Sequence, residues 1–335
     1  EIWIFNQFPV IVPDGGGGNI LLNDIIEVQT HATRKAKVTG GGLDYEVQYP
    51  ENNLDDCNVQ PGSPYDPLPC CSSANTHCGI DQNKVKIGII DTGADLPRPQ
   101  PFYAPYQIPT LGYNFITNTA IPVDDNGHGT HTVGTMVASD SIVNFGVAPS
   151  AQWIGCRNME RGWGSPQSYI ECFEWFLAPT DLNDQNPDPT KAPHVINNSW
   201  SCPEVEGCDS SNFFLMEQAV ENLRMAGVVV VVSAGNSGPN CHTVQAPSAM
   251  FEGSFSVGAL HWNDTIANFS SRGSVMMDSS NRLKPNVTAP GVATTSYMTV
   301  GDGSGNWNYA EASGTSMAGP HVAGLVALMI SADST

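Results

Sequence analysis

The sequence predicts an α/β fold: a doubly wound, mostly parallel sheet with helices on both faces, plus a small N-terminal segment. Three observations carry this expectation. Residues 85–90, Val195-Ile196-Asn197 and residues 228–232 are short, continuous, β-branched runs, the pattern of strands covered on both faces, as in a parallel sheet. Helical periodicity falls between those runs. The chain has 335 residues, 40% of them hydrophobic, enough for a large core in one α/β domain or two smaller ones.

Taken in order, residues 1–50 begin with a weakly strand-like run (2–12). A flexible break at Gly15-Gly16-Gly17-Gly18 follows, then a second apolar run (20–28) and a polar stretch. They read as a small separate unit. Residues 51–83 are rich in Pro, Asn, Asp and Cys without periodicity and read as a linker open to disulfide stapling. The main domain, 84–335, opens with the first buried strand. Ser165 and Pro166 form a cap with Pro at the first helical position, and Tyr169, Ile170, Phe173, Phe176 and Leu177 recur on one face. Phe213, Leu215, Met216, Ala219, Val220 and Leu223 mark another helix, ended by Gly227. Alternation of this kind places a site at the C-terminal ends of the strands.

Charge and cysteines narrow the function class. With 33 acidic against 13 basic residues, a net charge of -20 repels phosphate backbones and anionic lipid, which disfavours nucleic-acid binding. The plain reading of the acidic excess is solubility. No apolar run approaches the ~18 residues of a membrane span. The chain starts at Glu1 without a basic-then-apolar leader, which a removed leader or a fragment would equally explain. Nine cysteines and sequons at Asn197, Asn263, Asn268 and Asn286 point to an oxidising, secretory compartment. Asn197 follows a strand and is expected to be buried, whereas the other three lie in loop-like sequence. Cys202 and Cys208 bracket a Pro/Gly-containing loop and are the expected local pair; the odd total leaves one thiol over. No spacing fits a zinc finger or ribbon.

Four segments carry chemistry-bearing residues. Asp91 ends the first strand, where α/β folds present working groups, although an Asp there also caps turns. His128 lies between glycines at a predicted helix start in Asn126-Gly127-His128-Gly129-Thr130-His131. The second histidine raises a metal site, but no Glu follows in the zinc-protease pattern. Asn236 ends a buried strand in a Gly-rich turn, where it is either a turn residue or an amide donor. Ser316, in Gly314-Thr315-Ser316-Met317-Ala318-Gly319, leads an apolar helix and is either a cap or a nucleophile placed in the helix dipole. A carboxylate, an imidazole, an amide donor and a hydroxyl at matching strand ends are together what acyl transfer requires.

These motifs, with Ile89-Ile90-Asp91-Thr92-Gly93 and Ala234-Gly235-Asn236-Ser237-Gly238, resemble those of the subtilisin-like serine proteases over about residues 84–330. Asn197-Asn198-Ser199-Trp200, Leu177-Ala178-Pro179-Thr180-Asp181 and Phe269-Ser270-Ser271-Arg272-Gly273 are similar to the branch that includes bacillopeptidase F. The resemblance implies a serine endopeptidase with Ser316 as nucleophile, His128 as general base, Asp91 as the group orienting it and Asn236 in the oxyanion hole, with no metal or cofactor in the chemistry. A protein or peptide substrate would lie extended between Gly162-Trp163-Gly164 and Ser199-Trp200-Ser201. Trp163 and Trp200 would wall an upstream pocket, the alternative for either being the core. Ser233, Ala234 and Gly235 would line the primary pocket, with Gln245 as a polar floor favouring small or polar side chains. Residues 1–50 are weakly similar to an inhibitory pro-segment, a plain β-hairpin being nearly as good a reading, which would make the chain a zymogen cut in the linker. The C-terminus stops after the nucleophile helix, where the family adds more helix. Structural calcium is implied by the resemblance, without an oxygen-rich loop of assignable spacing. A secreted, monomeric enzyme is expected. The alternatives are a catalytically silent scaffold of the same fold, or a peptide ligase or cyclase.

Overall fold

The computed structural model describes residues 85–94, 111–138, 146–299 and 307–332, together with the backbone of five N-terminal strands. The expected linker, with Cys57, Cys70, Cys71 and Cys78, and the run Gly15-Gly16-Gly17-Gly18 lie outside the described residues, as does Asp95. In the N-terminal part β1 (Ile11–Pro13) pairs antiparallel with β2 (Asn19–Leu21). The strands β3 (Ile25–Val28), β4 (Lys35–Gly40) and β5 (Leu43–Gln48) form a second antiparallel sheet. The β4–β5 hairpin falls in the stretch that reads as merely polar. Its Lys35-Ala36-Lys37-Val38 run is short and poor in large apolar residues, so apolar content alone does not reveal it.

The main domain is built on seven parallel strands. They are β6 (Lys86–Asp91), β7 (Leu111–Asn114), β8 (Gln152–Arg157), β9 (Val195–Asn198), β10 (Val229–Ser233), β11 (Phe255–Leu260) and β12 (Val287–Pro290), in the order β12-β11-β10-β9-β6-β8-β7. Successive residues alternate between two cores. Ile90, Ile196, Val230 and Val232 face one core with Phe173, Phe176, Val220 and Leu223, while Ile87, Ile89, Val195 and Val231 face the other with Val133, Met136, Val322 and Ala323. Helices α2 (Pro166–Leu177) and α3 (Phe213–Met225) therefore cover one face, and α1 (His128–Val137) and α4 (Thr315–Ala332) the other. This is the doubly wound arrangement expected, and parallel throughout the sheet. A hairpin of β13 (Thr294–Thr299) and β14 (Trp307–Ala312) packs beside α1.

Local signals work as read at α2: Ser165 is the N-cap, accepting from Ser168 N–H in a reciprocal capping box, with Pro166 next. In α3, Met216, Ala219, Val220 and Leu223 are buried but Leu215 is exposed. The Cys202–Cys208 disulfide is present, and a second joins Cys156 of β8 to Cys172 of α2. Cys241 is a free, exposed thiol. Asn197 is buried in β9, as expected. The sequon at Asn286 is corrected: it is 7% exposed, and its Oδ1 accepts from Ser256 and from the Lys284 ammonium, so it is not open to a glycan. Asn263 and Asn268 are exposed.

Candidate active site

The strand order reverses around β6, and Asp91 is its last residue, buried at the C-terminal end. Its Oδ1 accepts from Thr92 N–H and lies 2.7 Å from Nδ1 of His128, the first residue of α1; Thr132 Oγ1 donates to Oδ2 at 3.4 Å. An acceptor-only carboxylate fixes the proton on Nδ1 and leaves the Nε2 lone pair outward. Burial alone would lower the His128 pKa. The charge and hydrogen bond of Asp91, with Asp124 behind, outweigh it and raise the pKa above the ordinary histidine value. The turn that delivers His128 is organised by Asp124, which is buried and accepts from Thr92 Oγ1, Asn126 N–H, Gly127 N–H and both Thr130 donors at 2.6–3.0 Å. Gly127 has φ 94°, and Gly129 leaves no room for a Cβ against the Gly93 carbonyl. His131 is not a partner of His128: it is buried, its Nε2 lies between the Thr294 and Ala310 carbonyls, and burial lowers its pKa to about 4.

Ser316 is the second residue of α4. Its Oγ donates to the Ser199 carbonyl at 2.9 Å, while Ser199 Oγ donates to the Ser316 carbonyl at 2.9 Å. Among the described residues, no hydrogen bond joins Ser316 Oγ to the His128 ring. Asn236, exposed beyond β10, accepts at Oδ1 from Thr315 N–H and Thr315 Oγ1 at 2.9 and 3.0 Å. A backbone N–H only donates, so the amide oxygen is identified and Nδ2 faces away. A methyl group placed on Gly314 would lie 3.5 Å from Asn236 Nδ2 and 3.6 Å from Ser316 N. Both nitrogens thus lie within ordinary contact distance of one point beside Gly314.

The remaining predicted residues are placed unevenly. Glu160 to Trp163 form a tight turn with both backbone bonds at 2.9 Å and positive φ at Arg161 and Gly162. Asp125 braces it, accepting from Arg161 N–H and from the Arg157 guanidinium at 2.6 Å. Trp163 is 61% exposed. Trp200 is a correction: it is 6% exposed, with its ring stacked 3.9 Å from that of Tyr169 and tilted against Phe173, so it is a core residue and not a pocket wall. Gly164 N–H is bonded to Glu206 at 3.3 Å. Ser201 is exposed. Ser233 and Ala234 are buried, and Gly235 has φ 100° with its N–H on Thr315 Oγ1. Gln245 is exposed and its amide is folded onto the His242 carbonyl at 2.9 Å.

Thr92 and Thr315 lie inside the motifs quoted above and Asp124 just before one of them, yet their supporting bonds have no spacing signature. Glu206, 37 residues beyond Tyr169, has no sequence signal at all. Among the described residues, the acidic turns offer no carboxylate cluster for the calcium implied by the resemblance. Asp181, Asp188 and Asp209 each hold N–H or O–H groups of their own turn, and no group of three or more His, Cys, Asp or Glu among the described residues is placed to share a metal.

With this geometry in place, comparison with known proteins is informative. The profile of the subtilase family matches residues 82–335. Bacillopeptidase F of Bacillus subtilis (strain 168) is 34% identical over 272 residues, covering 77% of this chain and 18% of that one. Serine protease AprX of the same strain is 34% identical over 266 residues, covering 73% and 57%. The chain therefore spans only part of the length of either. Subtilisin DY of Bacillus licheniformis is 33% identical over 257 residues, covering 76% and 79%. Among solved structures, a cold adapted subtilisin-like serine proteinase matches with a TM-score of 0.56 at 29% identity, over 78% of this chain and 80% of that one.

Proposed function

We propose that this chain, which belongs to the subtilase family, is a serine endopeptidase that cleaves peptide bonds through an acyl-enzyme on Ser316. The observation that carries this reading is the nearness of Asn236 Nδ2 and Ser316 N to one point beside Gly314, next to a serine at a helix N-terminus. Two neighbouring donors of this kind suit an oxygen that becomes negative as a carbonyl turns tetrahedral.

In this reading Ser316 Oγ turns from the Ser199 carbonyl toward His128 Nε2, attacks the substrate carbonyl and gives its proton to that nitrogen. Asp91 holds the imidazole in the required tautomer and stabilises the cation. His128 then passes the proton to the leaving amine, and water repeats the sequence to release the acid. Gly162-Trp163-Gly164 and Ser199-Trp200-Ser201 would pair with the substrate backbone, with Trp163 the exposed aromatic available to upstream side chains. The two disulfides suit a secreted enzyme, and residues 1–50 are read as its pro-segment.

The test is labelling with a serine-directed fluorophosphonate and hydrolysis of a peptide anilide after removal of residues 1–83. Labelling at Ser316 and a loss on the order of 10⁶-fold in kcat on Ser316→Ala are expected. Absence of both label and hydrolysis would leave a silent scaffold.

A further inference from the structure

Outside the triad, Glu206 is a carboxylate that joins the two segments read as substrate-binding. It sits in the short turn Glu204–Glu206, inside the loop closed by Cys202–Cys208, directly after Ser201. Its Oε2 accepts from the Tyr169 hydroxyl at 2.7 Å and its Oε1 from Gly164 N–H at 3.3 Å. Tyr169 is fully buried, in the first turn of α2, and stacks flat on Trp200, with 12° between the rings. A Cβ at residue 164 would collide with the Tyr169 hydroxyl, and one at Gly207 would touch the Pro166 ring at 3.6 Å. The loop is therefore packed against the start of α2, where a carboxylate also meets the positive end of the helix dipole.

These contacts form one path between the two segments read as substrate-binding. It runs from Gly164 through the Glu206 carboxylate to Tyr169, by ring stacking to Trp200, and then along the chain to Ser199, whose hydroxyl holds the Ser316 carbonyl. Charge-assisted bonds are the stronger class, and a buried tyrosine hydroxyl without its acceptor would be left unsatisfied. Burial raises the Glu206 pKa, and its two hydrogen bonds pull the other way.

We infer that Glu206 is a specificity-determining positioning residue: it fixes Gly162-Trp163-Gly164 relative to Ser199-Trp200-Ser201, and so sets how the upstream part of a peptide is held. This rests on the peptidase reading. It goes beyond that reading by locating the control of cleft width in the disulfide-closed loop. Because Glu206 acts behind the cleft, its loss affects substrates long enough to reach the braced edge and spares those that end at the first residue before the cut.

The test compares a tetrapeptide anilide with a single-residue acyl ester, using the wild type, Glu206→Ala, Glu206→Gln, Tyr169→Phe and the Glu206→Ala/Tyr169→Phe double variant. For Glu206→Ala, KM for the tetrapeptide rises on the order of tenfold with kcat within about twofold, and ester kcat/KM is unchanged. Tyr169→Phe acts in the same direction and adds little to Glu206→Ala, because the two groups share one path. Glu206→Gln keeps an acceptor for Gly164 and retains most of the wild-type KM. Equal losses on both substrates, or an unchanged tetrapeptide KM, would overturn the inference. If Glu206→Ala does not fold, Tyr169→Phe, which removes a single oxygen, decides the matter by the same two readouts. A wild type that hydrolyses neither substrate and takes no label at Ser316 would instead overturn the peptidase reading, and the inference with it.

Discussion

On the Asp91 and His128 side of the site both Asp91 oxygens are engaged, and Asp124 gathers donors from three parts of the chain behind them. Around Ser316 and Asn236 the pattern is the opposite: the Asn236 amide oxygen is locked by Thr315, while Nδ2 and Ser316 N lie within 3.6 Å of one point beside Gly314. The contrast matches what each side would have to do in the proposed acyl transfer. A base must be held in one tautomer, so its supports are saturated. An oxyanion hole must keep donors unsatisfied until charge develops, because only interactions that strengthen in the transition state accelerate the step.

Among the groups that support the nucleophile, the saturated side should break hardest. Asp91→Asn presents an amide that can reverse the His128 tautomer, and kcat should fall on the order of 10⁴-fold; a loss below tenfold in a peptide anilide assay would mean that Asp91 does not orient the ring. Next is the open side: Asn236→Leu removes one of two donors and should lower kcat roughly 10²- to 10³-fold with little change in KM. An equal effect on KM would show that the amide binds ground state and transition state alike.

A smaller effect comes from pH. The proposed base acts when neutral, and the His128 pKa is raised, so kcat/KM should fall as pH drops through a value above the ordinary histidine range. An acid limb at or below that range would contradict the coupling to Asp91. The smallest effect lies away from both sides. Lys284 is buried on the Ser254 carbonyl and Asn286, and burial lowers its pKa from 10.5 to about 7, with the nearby Glu252 charge opposing the shift and Arg282 adding to it. Between those values the unfolded chain binds more protons than the folded one, so this group makes stability rise with pH from about 7 toward 10.5. Thermal melts of the wild type against Lys284→Met should show that slope flattened in the variant.

What could be read in the sequence was local. Glycine runs around Asp91, His128, Asn236 and Ser316 mark close backbone approach, and a capping box at Ser165 marks a helix start. Three strands were legible because Val and Ile leave little choice of structure. β11 and β12 were not, since Phe255–Leu260 and Val287–Pro290 mix Ser, Gly, Ala and Thr with few large apolar residues. Trp163 and Trp200 look equivalent in sequence, yet Tyr169 and Phe173 of α2 draw Trp200 into the core, a choice made by tertiary packing. The same holds for Asn286, whose sequon reads as a loop until Lys284 claims its oxygen.

The central place of β6 has a consequence for how the molecule opens. With β9 on one side and β8 on the other, the amides leading to Asp91 are expected to exchange with solvent only on global unfolding, whereas the turn from Glu160 to Trp163 is exposed and held by a few bonds. On gentle warming, hydrogen exchange should release that turn first. The chemistry of the site and its grip on a long substrate would then be lost at different temperatures.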